Sequence, residues 1–314
     1  MIYQLRHLTT YLYEKPVTFA RCALRLAPWQ DTAQSVMDSH LSITPKPTLL
    51  ETHIGQFGER VVTATIETPH RSLKILAKSR VEVTRAGPTW PLGGRAWEAV
   101  RTEAFASTSL DLASPVHFLY PTRMTALQPA ITAFVAESFQ PGRPVLEAAF
   151  DVARRIKAEF AYDPKSTEVS TPAIEAFTAR HGVCQDFAHI MIAGLRGLGL
   201  PAAYVSGYLR TYAAPGKPRL EGADATHAWV SLWCGDATGW VGFDPTNALV
   251  VAEDHIVLAV GRDYADVAPI GGVVLGPGDQ LIKVAVDVIP ADETEPRQKA
   301  EAPADHDEHQ AFAR

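Results

Sequence analysis

Three residues able to cooperate in acyl chemistry follow one another along the second half of the chain. They are Cys184 in GVCQDFAHIMIAGLRGLGLP, His227 in THAWVSLWC and Asp244 in GWVGFDPTN. Cys184 immediately precedes an apolar-periodic segment in which Phe187, Met191, Leu195 and Leu198 share one broad helical face. A cysteine at a helix start meets unpaired backbone N–H groups and the positive end of the helix dipole. That setting favours a thiolate and offers N–H donors to an oxyanion. The same thiol is also compatible with a small, inert core side chain, the commonest fate of free cysteine. Cys22 and Cys234 lack such a setting and read as structural.

Alternation through THAWVSLWC places His227, Trp229 and Ser231 on one strand face and Ala228, Val230 and Leu232 on the other. A histidine beside Trp229 in an apolar strand is either a satisfied core residue or one aimed at a site. As a base for a thiol, its imidazole titrates near neutrality. Asp244 ends a strand and precedes Pro245, so it either caps a turn or accepts the imidazole N–H of a neighbouring strand. A helix followed by two strands gives each of the three residues a rigid support of its own.

Other chemistries fit less well. Cys184, His189, His227 and Asp244 contain zinc-ligand types, but residues five apart on a helix point about 140° from each other. No HExxH, CxxC or EF-hand spacing occurs, and no glycine run matches a phosphate-binding loop. No metal and no cofactor are expected. Asp186 and His189 read as a helix-start stabiliser and a packed histidine.

The elements that must position these residues are legible in outline. The 314 residues are 46% hydrophobic and 20% charged, enough for about two domains with a substantial core. Residues 1–88 carry short alternating segments separated by Pro, Gly and Asp, such as YQLRHLTTYLY, ERVVTATIE and SLKILAKSRVEVT, and predict an antiparallel β-sandwich. AGPTWPLGG closes that region, and residues 89–145 form a helical and loop connection. Residues 146–290 hold the three chemistry-bearing segments, with STPAIEAFTAR a short helix capped by Ser170 or Thr171. DHIVLAVGRDYADVAPIGGVVLGPG and LIKVAVDVIP are expected to close this second unit. Residues 291–314 hold seven acidic side chains and few apolar ones, and read as a mobile tail. A net charge of -6 without a basic stripe argues against nucleic acid or an anionic membrane as partner. Three scattered cysteines and the absence of a leader-like or spanning segment point to the cytoplasm.

In GVCQDFAHIMIAGLRGLGLPAAYVSGYL, ADATHAWVSLW and GWVGFDPTN, together with HLTTYLYEKPV and LYPTR, the chain resembles the bacterial transglutaminase-like superfamily. The resemblance implies an α+β fold with a papain-like core behind an N-terminal antiparallel β-sandwich. It places the family's nucleophile on Cys184, its base on His227 and its orienting acid on Asp244. It implies a cysteine-dependent amide or peptide hydrolase working through a thioester, on a peptide, protein or small amide. An amine acceptor would make the same site a transglutaminase, and a closed groove would leave a protein-interaction module. Two positions depart from the pattern: Ala203 stands where the family commonly has arginine, and Glu59 where it has asparagine in an FGN-type turn.

Overall fold

The computed structural model describes residues 1–89, 92–212, 222 and 225–291. In chain order the strands before the core are β1 (Ile2–Val17), β2 (Phe19–Leu24), β3 (Gln34–Thr44), β4 (Leu49–Ile54), β5 (Arg60–Ile66) and β6 (His70–Val83). Then follow α1 (Trp97–Ala106), α2 (Pro129–Ala136), α3 (Val145–Glu159), β7 (Ala161–Tyr162), α4 (Ala173–Ala179), β8 (His181–Gly182) and α5 (Cys184–Gly197). The remainder comprises β9 (Ala202–Leu209), β10 (Ala225–Trp233), β11 (Trp240–Asp244), β12 (Leu249–Val250), β13 (His255–Gly261), α6 (Tyr264–Val267), β14 (Ile270–Leu275) and β15 (Gln280–Pro290).

β1 buries alternate residues, among them Tyr3, Leu5, His7 and Thr9, as a half-buried strand does. Two four-stranded antiparallel sheets result, in the orders β15-β1-β6-β3 and β14-β2-β5-β4. Tyr13, Val17, Leu24, Ile66, Leu73 and Ile75 fill the space between them and make the expected sandwich.

Two of its strands come from the far end of the chain. β15 runs antiparallel to β1 from Tyr3↔Pro290 to Tyr13↔Gln280, and β14 pairs with β2. Of the segments expected to close the second unit, β13 does so by pairing with β9, whereas β14 and β15 complete the first. Alternation identifies a strand but not its neighbour, and the unpaired edges of β1 and β2 take whichever strand satisfies their backbone groups. The backbone N–H of Ala291 still bonds to the Ile2 carbonyl at 2.8 Å, and the rest of the acidic tail lies outside the described residues.

The core is a five-stranded antiparallel sheet, β12-β11-β10-β9-β13. α5 packs between β9 and β10 on one side and α2 and α4 on the other. It is consequently buried on every face from Gln185 to Arg196, where periodicity predicted one broad face. Arg196 keeps its charge inside by donating to the carbonyls of Phe118, Ala202 and Arg262 and to Thr125 Oγ1, at 2.7–3.2 Å. The bonds to Phe118 and Thr125 tie the two flanks of the LYPTR segment to the helix. α4 starts at Ala173 with Pro172 at its cap position, and Thr171 Oγ1 instead accepts the Glu168 N–H at 2.9 Å.

The sandwich is joined to the core sheet. Tyr3, Leu5, Val81 and Val286 pack with Tyr208, Ile256 and Leu258. The Gln34 side chain bonds both backbone groups of Val257, at 2.8 and 2.9 Å. Among the described residues no helix is long and apolar enough to cross a membrane.

Candidate active site

Cys184 is the first residue of α5 and remains partly exposed. The local sequence builds this start. Asp186 folds back so that Oδ2 accepts the Val183 backbone N–H at 2.8 Å and the Thr167 hydroxyl at 2.7 Å. Its carboxylate sits in the first turn, where the helix dipole favours it. A Cβ at Gly182 would lie 2.7 Å from Asp186 Oδ2, so the turn that presents Cys184 requires glycine. The GVCQD string thus encodes a helix start with its capping group and the room for it. The Gln185 amide is spent on the Val169 carbonyl at 2.9 Å.

His227 lies on β10 and Asp244 at the end of the adjoining β11, where Val230↔Phe243 sets the register. His227 Nε2 and Asp244 Oδ2 are 2.8 Å apart, and the carboxylate is fully buried. Burial alone would lower the imidazole pKa. Hydrogen bonds to Asp244 and Cys184 and the charges of both outweigh it and hold His227 well above its ordinary value. With Nε2 committed to Asp244, Nδ1 is the ring nitrogen left to serve a thiol. Asp244 is driven well below the carboxylate range because its donors overcome the cost of burial.

The structure therefore gathers the three expected residues, and it adds others. His255, at the start of β13, places Nε2 3.2 Å from Asp244 Oδ2, and Asn247 Nδ2 donates to the same oxygen at 2.8 Å. Asp244 Oδ1 accepts the backbone N–H groups of Thr246 and Asn247 at 2.9 and 3.1 Å. The turn DPTN thus holds the Asp244 carboxylate through its own donors. Trp229 packs edge-on against His255 at 5.2 Å, with its ring over Gly207, where a Cβ would collide with it. Tyr162 and Tyr204 also belong to the site: burial raises both phenols, and the negative charge of a Cys184 thiolate adds to the effect. A lone histidine opening an apolar strand is the signal that His255 offered in the sequence, the same one that singled out His227.

His189 stands elsewhere. Its Nε2 accepts the Tyr264 N–H at 3.2 Å, its ring lies against Tyr204, and burial pushes its pKa down to about 4. The mixed set with Cys184 and His189 is thus not assembled. Among the described residues the one cluster of metal-ligand types is His227, Asp244 and His255, whose ligand atoms lie within 4.8 Å of one another. At 2.8 and 3.2 Å these contacts have the geometry of N–H···O hydrogen bonds. Cys22 and Cys234 are buried, and burial pushes both thiols up.

The two departures from the family pattern meet in one place. Ala203 packs with Phe57 and Phe118 in a small cluster. Phe57 enters it from the turn in which Glu59 Oε2 accepts the Phe57 N–H at 3.1 Å, with Arg25 Nε 3.6 Å from Oε1. Alanine at 203 leaves the space that Phe57 occupies.

Comparison with known proteins agrees with this architecture. Residues 3–82 match the bacterial transglutaminase-like N-terminal region, and residues 132–245 match the transglutaminase-like superfamily core. An uncharacterized protein of Mycobacterium tuberculosis is 38% identical over 300 residues, covering 92% of each chain. One from Mycobacterium leprae is 33% identical over 287 residues, 90% of this chain and 96% of that one. The protein-glutamine gamma-glutamyltransferase of Pseudomonas aeruginosa is 32% identical over 120 residues, 35% of this chain and 18% of that protein. A Cytophaga hutchinsonii protein solved as a candidate cysteine protease shares the fold with a TM-score of 0.70 at 23% identity, over 94% of this chain and 92% of that one. With its β-sandwich, its papain-like core and these full-length relatives, the chain belongs to the bacterial transglutaminase-like superfamily.

Proposed function

We propose that the protein is a cysteine-dependent amide or peptide hydrolase that works through a thioester. The observation that carries this reading is the 2.8 Å contact between His227 and a fully buried Asp244, with Cys184 near enough for its charge to act on the same imidazole. In the reading, the Cys184 thiolate attacks the carbonyl carbon and a C–S bond forms. The oxyanion is met by backbone N–H groups at the start of α5. His227, as the imidazolium, gives its proton to the departing amine as the C–N bond breaks. Water then attacks the thioester and His227 takes its proton. The C–S bond breaks, and the acid leaves with thiolate and imidazolium restored. Asp244 keeps its charge throughout and orients the ring.

An amine in place of water makes the same cycle a transglutaminase, and the match to a protein-glutamine gamma-glutamyltransferase favours keeping that acceptor in the test. Three free cysteines support a reducing, cytoplasmic setting. The test treats the intact protein with a thiol-directed, amide-mimicking electrophile at neutral pH and maps the labelled peptide. Preferential labelling of Cys184 that His227→Ala abolishes is the expected result. Equal labelling of Cys22, Cys184 and Cys234 refutes the reading. A peptide library with water and a primary amine as paired acceptors then separates hydrolysis from transfer.

A further inference from the structure

Asp244 Oδ2 faces three side-chain donors: His227 Nε2 at 2.8 Å, Asn247 Nδ2 at 2.8 Å and His255 Nε2 at 3.2 Å. His255 is the one whose presence has a visible cost. It is buried, and its Nδ1 is inaccessible and has no partner. Only the neutral tautomer with the proton on Nε2 suits both ends, because a bare Nε2 would turn its lone pair on a carboxylate. A buried imidazole with an orphaned acceptor lowers stability, which points to a role for the nitrogen that is bonded.

The stretch that carries His255 is gripped from the N-terminal side. Tyr3 Oη donates to Asp254 Oδ1 at 2.9 Å, Arg85 Nη1 donates to the His255 carbonyl at 3.0 Å, and Gln34 holds both backbone groups of Val257. Trp29 of the same region packs with Val257 and Trp229. We propose that His255 is a positioning residue of the acyl-transfer site: its Nε2–H fixes the Asp244 carboxylate that orients His227, and the N-terminal β region supplies the rigidity by clamping residues 254–257. This rests on the function proposed above. By donating to Oδ2 alongside Asn247, His255 stops the carboxylate from rotating away. It also spreads the negative charge, so the shared proton stays on His227.

Two measurements on the full chain test this. In the wild-type protein, imidazole 15N NMR must show His255 as the neutral Nε2–H tautomer. Iodoacetamide labelling of Cys184, quantified by peptide mapping at pH 7, is then compared across His255→Gln, His255→Asn and His227→Ala, with near-UV circular dichroism as the check on fold. Glutamine places an amide N–H where Nε2 was, whereas asparagine stops short. The expected result is a loss of about tenfold for His255→Asn, with His255→Gln recovering most of the rate. Equal rates for the two variants, or an Nδ1–H tautomer in the wild type, overturn the proposal. If His227→Ala slows labelling and His255→Asn does not, this proposal alone falls. If His227→Ala has no effect, the acyl-transfer reading falls with it.

Discussion

Asp244→Asn replaces one oxygen by an NH2 group of the same size, so it opens no cavity and tests the electrostatics alone. The wild-type carboxylate accepts three side-chain donors on Oδ2 and two backbone donors on Oδ1, all within 3.2 Å. An asparagine oxygen can serve only one of these groups. If it keeps the backbone pair, its NH2 confronts His227, His255 and Asn247. The two shortest bonds, from His227 and Asn247, are then lost. At about 1.5–3 kcal/mol for a hydrogen bond to a charged group, that is about 3–6 kcal/mol. His227 escapes the clash by moving its proton to Nδ1, which leaves it no lone pair for the Cys184 proton. The expected loss of reaction rate is therefore on the order of 10^2 to 10^4. The assay is the rate of Cys184 labelling by an amide-mimicking electrophile at pH 7, with urea unfolding run alongside. A variant labelled at the wild-type rate and unfolding at the wild-type midpoint would refute the account of Asp244 as an ionised orienting group.

Three further perturbations have outcomes set by the same packing and burial. Gly182→Ala drives a Cβ into Asp186 and is expected to cost about 1–3 kcal/mol and to slow Cys184 labelling, read by urea midpoint and peptide mapping. Ala203→Arg, which restores the family's usual residue, is expected to destabilise by about 3 kcal/mol or more, because it puts an unpaired charge among Phe57 and Phe118. A chain as stable as wild type would show that the pocket is not closed by Phe57. Acid should weaken the fold between pH 6.5 and about 4, where the unfolded chain protonates His7 and His189 but burial keeps both neutral when folded. Each contributes about 3 kcal/mol at most, and stability rises with pH through that window. His227 acts in the opposite sense, since its raised pKa adds stability at low pH that disappears as pH climbs through the folded value. Urea unfolding from pH 4.5 to about 10, with His7→Gln expected to flatten the lower slope, checks both signs.

Much of the site was legible because its cues are local. GVCQD announces a helix start, and an alternating strand fixes which face His227 shares with Trp229. An aspartate before proline marks a strand end. The role of His255 was hidden because nothing in EDHIVLAVG says which strand lies across the sheet. Its partner is Asp244, on β11, which β10 and β9 separate from β13 in the β12-β11-β10-β9-β13 order. The N-terminal β region was visible as alternation, yet two of its eight strands lie beyond residue 269.

Residue type and periodicity by themselves determined most of the elements and the supports of Cys184, His227 and Asp244. These follow from side-chain spacing within a few residues, which the backbone geometry of helix and strand translates directly into faces. Only the tertiary structure decided that β14 and β15 complete the sandwich, that Phe57 fills the space beside Ala203, and that His255 converges with Asn247 on one carboxylate oxygen. Each of those results depends on strand pairing between residues far apart in sequence. Such pairing is selected by the sum of burial and backbone hydrogen bonding over the whole molecule, and no single segment carries it.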